Sequence, residues 1–160
     1  MKRQITRVFS ALAIAGVILS SPAIARADLV KAETPWARPT YVYGAGLNQS
    51  EIDKTAEHLG VLGKDLLTMN IDGKDIQRYI NETSSDKGMI SSALVPKLSE
   101  GSGVVVEIKT PENITEITKV QYANAAITAG VKDIQIDVAA VRAVTGSSAL
   151  TGVYKAMEAN

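Results

Sequence analysis

Residues 101–130, GSGVVVEIKTPENITEITKVQYANAAITAG, fix most of what this chain can fold into. Gly101-Ser102-Gly103 reads as a turn. Val104, Val106 and Ile108 then alternate with Val105, Glu107 and Lys109, the period-two pattern of a half-buried strand. Thr110-Pro111 places proline just inside a helical turn, with threonine as its cap and Glu112 near the positive end of that turn's dipole. Thr118 and Gln121 have capping-box spacing, so a helix is expected over 119–129, with Gly130 as its left-handed stop. Its apolar stripe reads as Val120, Ala123, Asn124 and Ile127. An asparagine buried in such a stripe needs partners, because a buried polar group left unpaired costs about 1–3 kcal/mol.

The remaining elements follow from period and punctuation. A short strand is expected at 41–43, ended by the turn Gly44-Ala45-Gly46, then a helix over 49–59 capped by Asn48 or Ser50 and closed by Gly60. Residues 66–71 read as a strand, 74–81 as a helix begun by Asp72-Gly73, and 89–95 as a strand with Pro96 near its end. Residues 99–103 look like a hairpin connection to 104–109. DIQIDVAAV, 133–141, is the cleanest alternating strand, and Leu150, Val153, Tyr154 and Met157 recur at helical spacing over 149–158. The class expected is α+β: a mainly antiparallel sheet with helices on one face. Its core is a split βαβ unit (βαββαβ), flanked by the early strand-helix pair and the last helix.

The N-terminus reads as an export signal. Lys2, Arg3 and Arg7 precede an uncharged run over 8–25, and Ala25-Arg26-Ala27 offers small residues around a cut after Ala27. The alternative is an uncleaved N-terminal membrane anchor, since the whole run approaches the length of a short span. Residues 28–40 read as an arm, with Trp36, the one tryptophan, pinning it to a domain over 41–160. The 17 basic and 17 acidic residues balance in the full chain; cleavage removes Lys2, Arg3, Arg7 and Arg26, leaving a net charge near −4. A mildly acidic domain without a basic cluster gives no electrostatic reason to bind nucleic acid or an anionic membrane. Without cysteine, disulfides and thiolate chemistry are excluded, and packing alone must hold the fold.

Few residues offer chemistry. His58, the one histidine, lies off the stripe Ile52, Ala56, Leu59 and reads as a surface residue. Gly44-x-Gly46 is too short for a dinucleotide fingerprint, and a strand rather than a helix follows Gly101-Ser102-Gly103, which removes a phosphate cradle. Ser148 and Lys155 are seven apart, about 10 Å along a helix, too far for a dyad. Glu107, Asp133 and Asp137 would approach a metal site only on adjoining strands with matching faces, and read instead as a solvated face. No metal and no cofactor is expected. The Asn-x-Ser/Thr triplets at Asn48, Asn81 and Asn113 read as turn or cap residues. Glu112, Asn113, Thr115 and Asn124 remain as candidate binding residues, with caps and corner hydrogen bonds as the simpler explanation.

TPENIT, QYANAAITAG and VTGSSALTGVYKAMEA resemble the YpuA-like family of secreted Gram-positive bacterial proteins of unknown function. The likeness runs from Tyr41 to the C-terminus. Two departures stand out: Gly46 replaces a usual acidic residue, and family members typically continue past this last helix, so a truncated C-terminus is expected. The resemblance implies an extracytoplasmic location and supplies no activity, cofactor or active site. Three functions follow as expectations: a non-catalytic domain binding a cell-envelope or protein partner; a hydrolase using Glu112 with Asp133 or Asp137; or a structural subunit packing through Ala123, Ala126 and Ala129.

Overall fold

The computed structural model describes Trp36 and residues 38–160, which fall within a unit spanning Thr34–Asn160. Among these residues the order is β1 (Thr40–Gly44), α1 (Gln49–His58), β2 (Leu67–Ile71), α2 (Gly73–Ile80), β3 (Ser92–Val95), β4 (Val104–Ile108), α3 (Lys119–Thr128), β5 (Ile134–Ala139) and α4 (Ser147–Ala159). The expected export signal and most of the arm lie outside the described residues. The class is α+β, as expected. Capping boxes start three helices: Asn48 with Glu51, Asp72 with Asp75, and Thr118 with Gln121.

The five strands form one mixed sheet in the order β2-β1-β3-β5-β4. Antiparallel pairs hold its centre, β1 with β3 and β3 with β5. Parallel pairs, β1 with β2 and β4 with β5, form its margins. The hairpin expected across 99–103 is replaced. Gly101 and Gly103 do turn the chain, at φ 84° and 72°, but β5 inserts between β3 and β4. The reason is burial: five of the six β5 residues are buried, whereas β4 buries neither face completely. Ile134, Ile136, Val138 and Ala139 are fully buried in β5, and the polar Gln135 and Asp137 of its second face bond each other, so it fits an interior place, whereas β4 keeps Val105 and Glu107 exposed and takes the edge. The split βαβ order gives way in consequence to two unsplit units, β1-α1-β2 and β4-α3-β5.

Helices also cover both faces rather than one. Val42, Ala93, Val95, Ile134, Ile136 and Val138 face α2, α3 and α4, while Tyr41, Leu94 and Ala139 face Ala56 and Leu59 of α1. The two crossovers step the same way across the sheet between strands of the same sense. With α1 and α3 on opposite faces they must differ in hand, so one departs from the right-handed rule.

α4 lies over the sheet centre and buries Ala149, Val153 and Ala156 completely. A Cβ on Gly152 would stand 3.2 Å from Val42 Cβ, so its glycine sets the closeness of helix and sheet. The Gly44-Ala45-Gly46 turn is tighter still: Gly46 N–H donates to Met89 O at 2.9 Å, and a Cβ on Gly44 would lie 2.0 Å from that carbonyl. Backbone rather than a flexible side chain is in the way. Gly44→Ala is expected to lower stability by about 2–3 kcal/mol, read as a lower urea midpoint with unchanged slope.

Candidate binding surface

The residues singled out in the sequence do not converge. Thr110 and Asn113 bracket one residue beyond β5: Ala140 N–H donates to Thr110 Oγ1, and Asn113 Nδ2 donates to Ala140 O, both at 2.8 Å. Thr115 donates to Val144 O from its backbone at 2.9 Å and from its hydroxyl at 3.0 Å. Both Asn113 and Thr115 therefore hold the 110–118 segment against 140–145. Glu112 is exposed in a 3₁₀ turn, Pro111–Asn113.

Asn124 is exposed as well, and the stripe read through it is corrected. α3 buries Tyr122, Ala125 and Ala126, while Val120 and Ile127 are 66% and 61% exposed. Apolar residues surround this helix, so period alone left two faces open. Tyr122 decides between them, because its ring fills the space beneath α4 and its hydroxyl donates to Gly146 O at 3.0 Å. Burial pushes that phenol far above its ordinary range. Ala126 is fully buried and Ala123 only half-buried, so the small-residue face is not one surface.

Glu112 and Asp133 do not pair. Asp133 sits at the other end of β4, where its Oδ1 accepts the Gly103 N–H at 2.8 Å; the five residues of β4 separate the two by roughly 17 Å. Glu107 and Asp137 are register partners on adjoining strands. Between them stands Lys109, bonded to Glu107 and 3.6 Å from Asp137. Its ammonium lowers the Glu107 carboxyl, and Glu107 in turn raises Lys109. Ser148 is buried and hydrogen-bonded to Ser91, while Lys155 pairs with Asp75 at 2.7 Å. Among the described residues no group of three His, Cys, Asp or Glu side chains is placed to hold a metal ion.

An open surface does exist at the α3–β4 margin, one that sequence reasoning missed. A groove of about 470 Å³ is lined by Val104, Ala123, Ile127 and Val131, with Gly101, Gly103 and Gly130 at its rim. Beside it runs the outer edge of β4. Gly103 O accepts from Ile134 N–H and Lys109 N–H donates to Val138 O, so the odd-numbered residues bond β5. Alternation turns the N–H and C=O groups of Val104, Val106 and Ile108 outward.

The family described as a protein of unknown function (DUF1002) matches residues 43–160. The chain belongs to this family. It is also 32% identical over 151 residues to the uncharacterized protein YpuA of Bacillus subtilis (strain 168), covering 92% of this chain and 49% of that protein. The chain thus spans about half the length of the relative it matches. No solved structure matches it.

The three segments on which the sequence resemblance rests make structural contacts. TPENIT is the corner that brackets Ala140, QYANAAITAG supplies the Tyr122 face, and VTGSSALTG seats α4. Among the described residues no helix is long and apolar enough to cross a membrane.

Two outcomes check these assignments. Asn113→Ala is expected to cost about 1–3 kcal/mol by stranding the Ala140 carbonyl, whereas Glu112→Gln leaves the melting temperature unchanged. At the seam of α2 and α4, Tyr79 stacks on Tyr154, with ring centroids 6.4 Å apart, and donates to Glu158. Desolvation first, then the bond to Glu158 and its charge, raise Tyr79 from 10.0 to about 12. The unfolded chain then loses this proton first, so stability is full below pH 10 and falls between pH 10 and 12. Tyr79→Phe flattens that fall in denaturant titrations.

Proposed function

We propose that this chain is an extracytoplasmic, non-catalytic binding domain that engages a protein partner through the α3–β4 margin. The observation that carries the reading is the edge of β4, unpaired among the described residues, lying directly beside an open apolar groove. Strand addition takes its affinity from main-chain hydrogen bonds and its specificity from neighbouring side-chain pockets, and this margin supplies both. The exposed Val120 and Ile127 extend the apolar wall. The separation of Glu112 from Asp133 counts against one of the two carboxylate pairs of the hydrolase alternative, Glu112 with Asp133.

The extracytoplasmic part rests on the N-terminal sequence: basic residues, an apolar run and Ala25-Arg26-Ala27. N-terminal sequencing of the product made from the full gene is expected to begin at Asp28. A product that keeps Met1 and sediments with membranes would establish the anchor alternative instead. Binding is read by amide hydrogen exchange of the labelled mature chain with and without a cell-envelope protein fraction. Val104, Val106 and Ile108 are expected to exchange at least tenfold more slowly with it. Exchange at all three that neither the fraction nor a rising concentration of the chain itself slows defeats the reading.

A further inference from the structure

We propose that the strand completing β4 is the β4 of a second copy of this chain, added antiparallel about a two-fold axis through Val106. This rests on the binding role assigned above to the same margin, and it names the partner.

The two edges of the sheet are treated differently. At the β2 edge, Leu67 N–H donates to Pro39 O, which turns the groups of Thr68 and Asn70 outward. The Lys155 ammonium then covers Asn70 O at 3.0 Å while pairing with Asp75. A charged lysine on a sheet edge is a standard guard against strand addition. β4 carries no such guard: Val104–Ile108 holds neither proline nor bulge, and its one charge, Glu107, is already bonded to Lys109.

The register that pairs all five residues of β4 has its axis at the middle residue, Val106. With the axis through Val106, Val104 faces Ile108 of the second copy and Val106 faces Val106. Every outward N–H then meets an outward C=O, and all inner cross-strand pairs are β-branched, a favourable combination. An axis through Glu107 sets two carboxylates opposite each other. An axis through Ile108 runs into Thr110, whose carbonyl already accepts from Asn113 N–H at 3.0 Å, and into Pro111, which has no N–H. The chosen axis also brings the two α3 helices alongside each other, antiparallel. Val120 of the second copy then lies against Ile127 and closes the groove that Val104, Ala123 and Val131 leave open.

The test uses the mature chain, residues 28–160. Sedimentation from about 1 µM to about 1 mM is expected to show the mass doubling, with slower exchange at Val104, Val106 and Ile108 as concentration rises. Val120→Asp with Ile127→Asp, both on exposed positions, shifts the midpoint at least tenfold upward while the circular dichroism is unchanged. The chain has no cysteine, so register is read directly. A mixture of Val105→Cys and Glu107→Cys chains crosslinks on mild oxidation, because these residues face each other across the axis. Neither variant crosslinks alone. A monomer at every concentration, or crosslinking of the mixture no faster than of the single variants, overturns the proposal. If the chain stays monomeric but an envelope fraction still protects the β4 amides, self-pairing fails and the binding role stands. If neither condition protects them, both fail.

Discussion

α4 is seated on the sheet through Ala149, Gly152, Val153 and Ala156 and anchored at its start by hydroxyls, and the other layers arrange themselves around that contact. Its first turn has no cap of its own, because Gly146 stands there at φ 101°. Ser91, from the segment entering β3, supplies it: Ser91 Oγ accepts the Ala149 N–H at 2.8 Å and bonds Ser148 Oγ at 2.7 Å. Tyr122 fixes the same corner from the α3 side, and a Cβ on Gly146 would stand 2.6 Å from its hydroxyl. A buried helix end with orphan N–H groups would be costly. Here Ser91 Oγ accepts from Ala149 N–H and Thr145 Oγ1 from Ser147 N–H, while Tyr122 holds the Gly146 carbonyl, so the segment entering β3 and the helix α3 both fix this end of α4.

The margins follow from that centre. α4 covers β1 and β3, α2 closes the β2 side, and Lys155 reaches from α4 to cap the β2 edge. Among the described residues no such arm reaches β4, which rests on β5 and α3. Because Tyr122 draws α3 inward by one face, its other apolar residues, Val120 and Ile127, are left in solvent beside an uncapped strand. The same interaction that fixes the core thus creates the surface to which binding is assigned.

Local signals were legible where the chemistry is local. Asn48, Asp72 and Thr118 cap helices as their spacing requires, and the alternation in 104–108 and 134–138 does form strands. Asn81, in the left-handed region at φ 56°, ends α2, and Asn113 braces a corner. The choice of face on α3 was not legible, since apolar residues lie all round it and only the space under α4 selects Tyr122. Strand neighbours were not legible either: the glycines at 101 and 103 announce a reversal, yet a reversal does not state which strand fills the place beside it.

The sequence by itself determined the element list, the α+β class and the absence of thiol chemistry, because these depend on residue types and short spacings. Only the tertiary structure decided the order β2-β1-β3-β5-β4, the coverage of both faces, and the exposure of β4 with Val120 and Ile127. Those depend on competition for burial among segments far apart in the chain. β5, buried on both faces, wins the interior, and β4 is left at the edge with its backbone groups unspent.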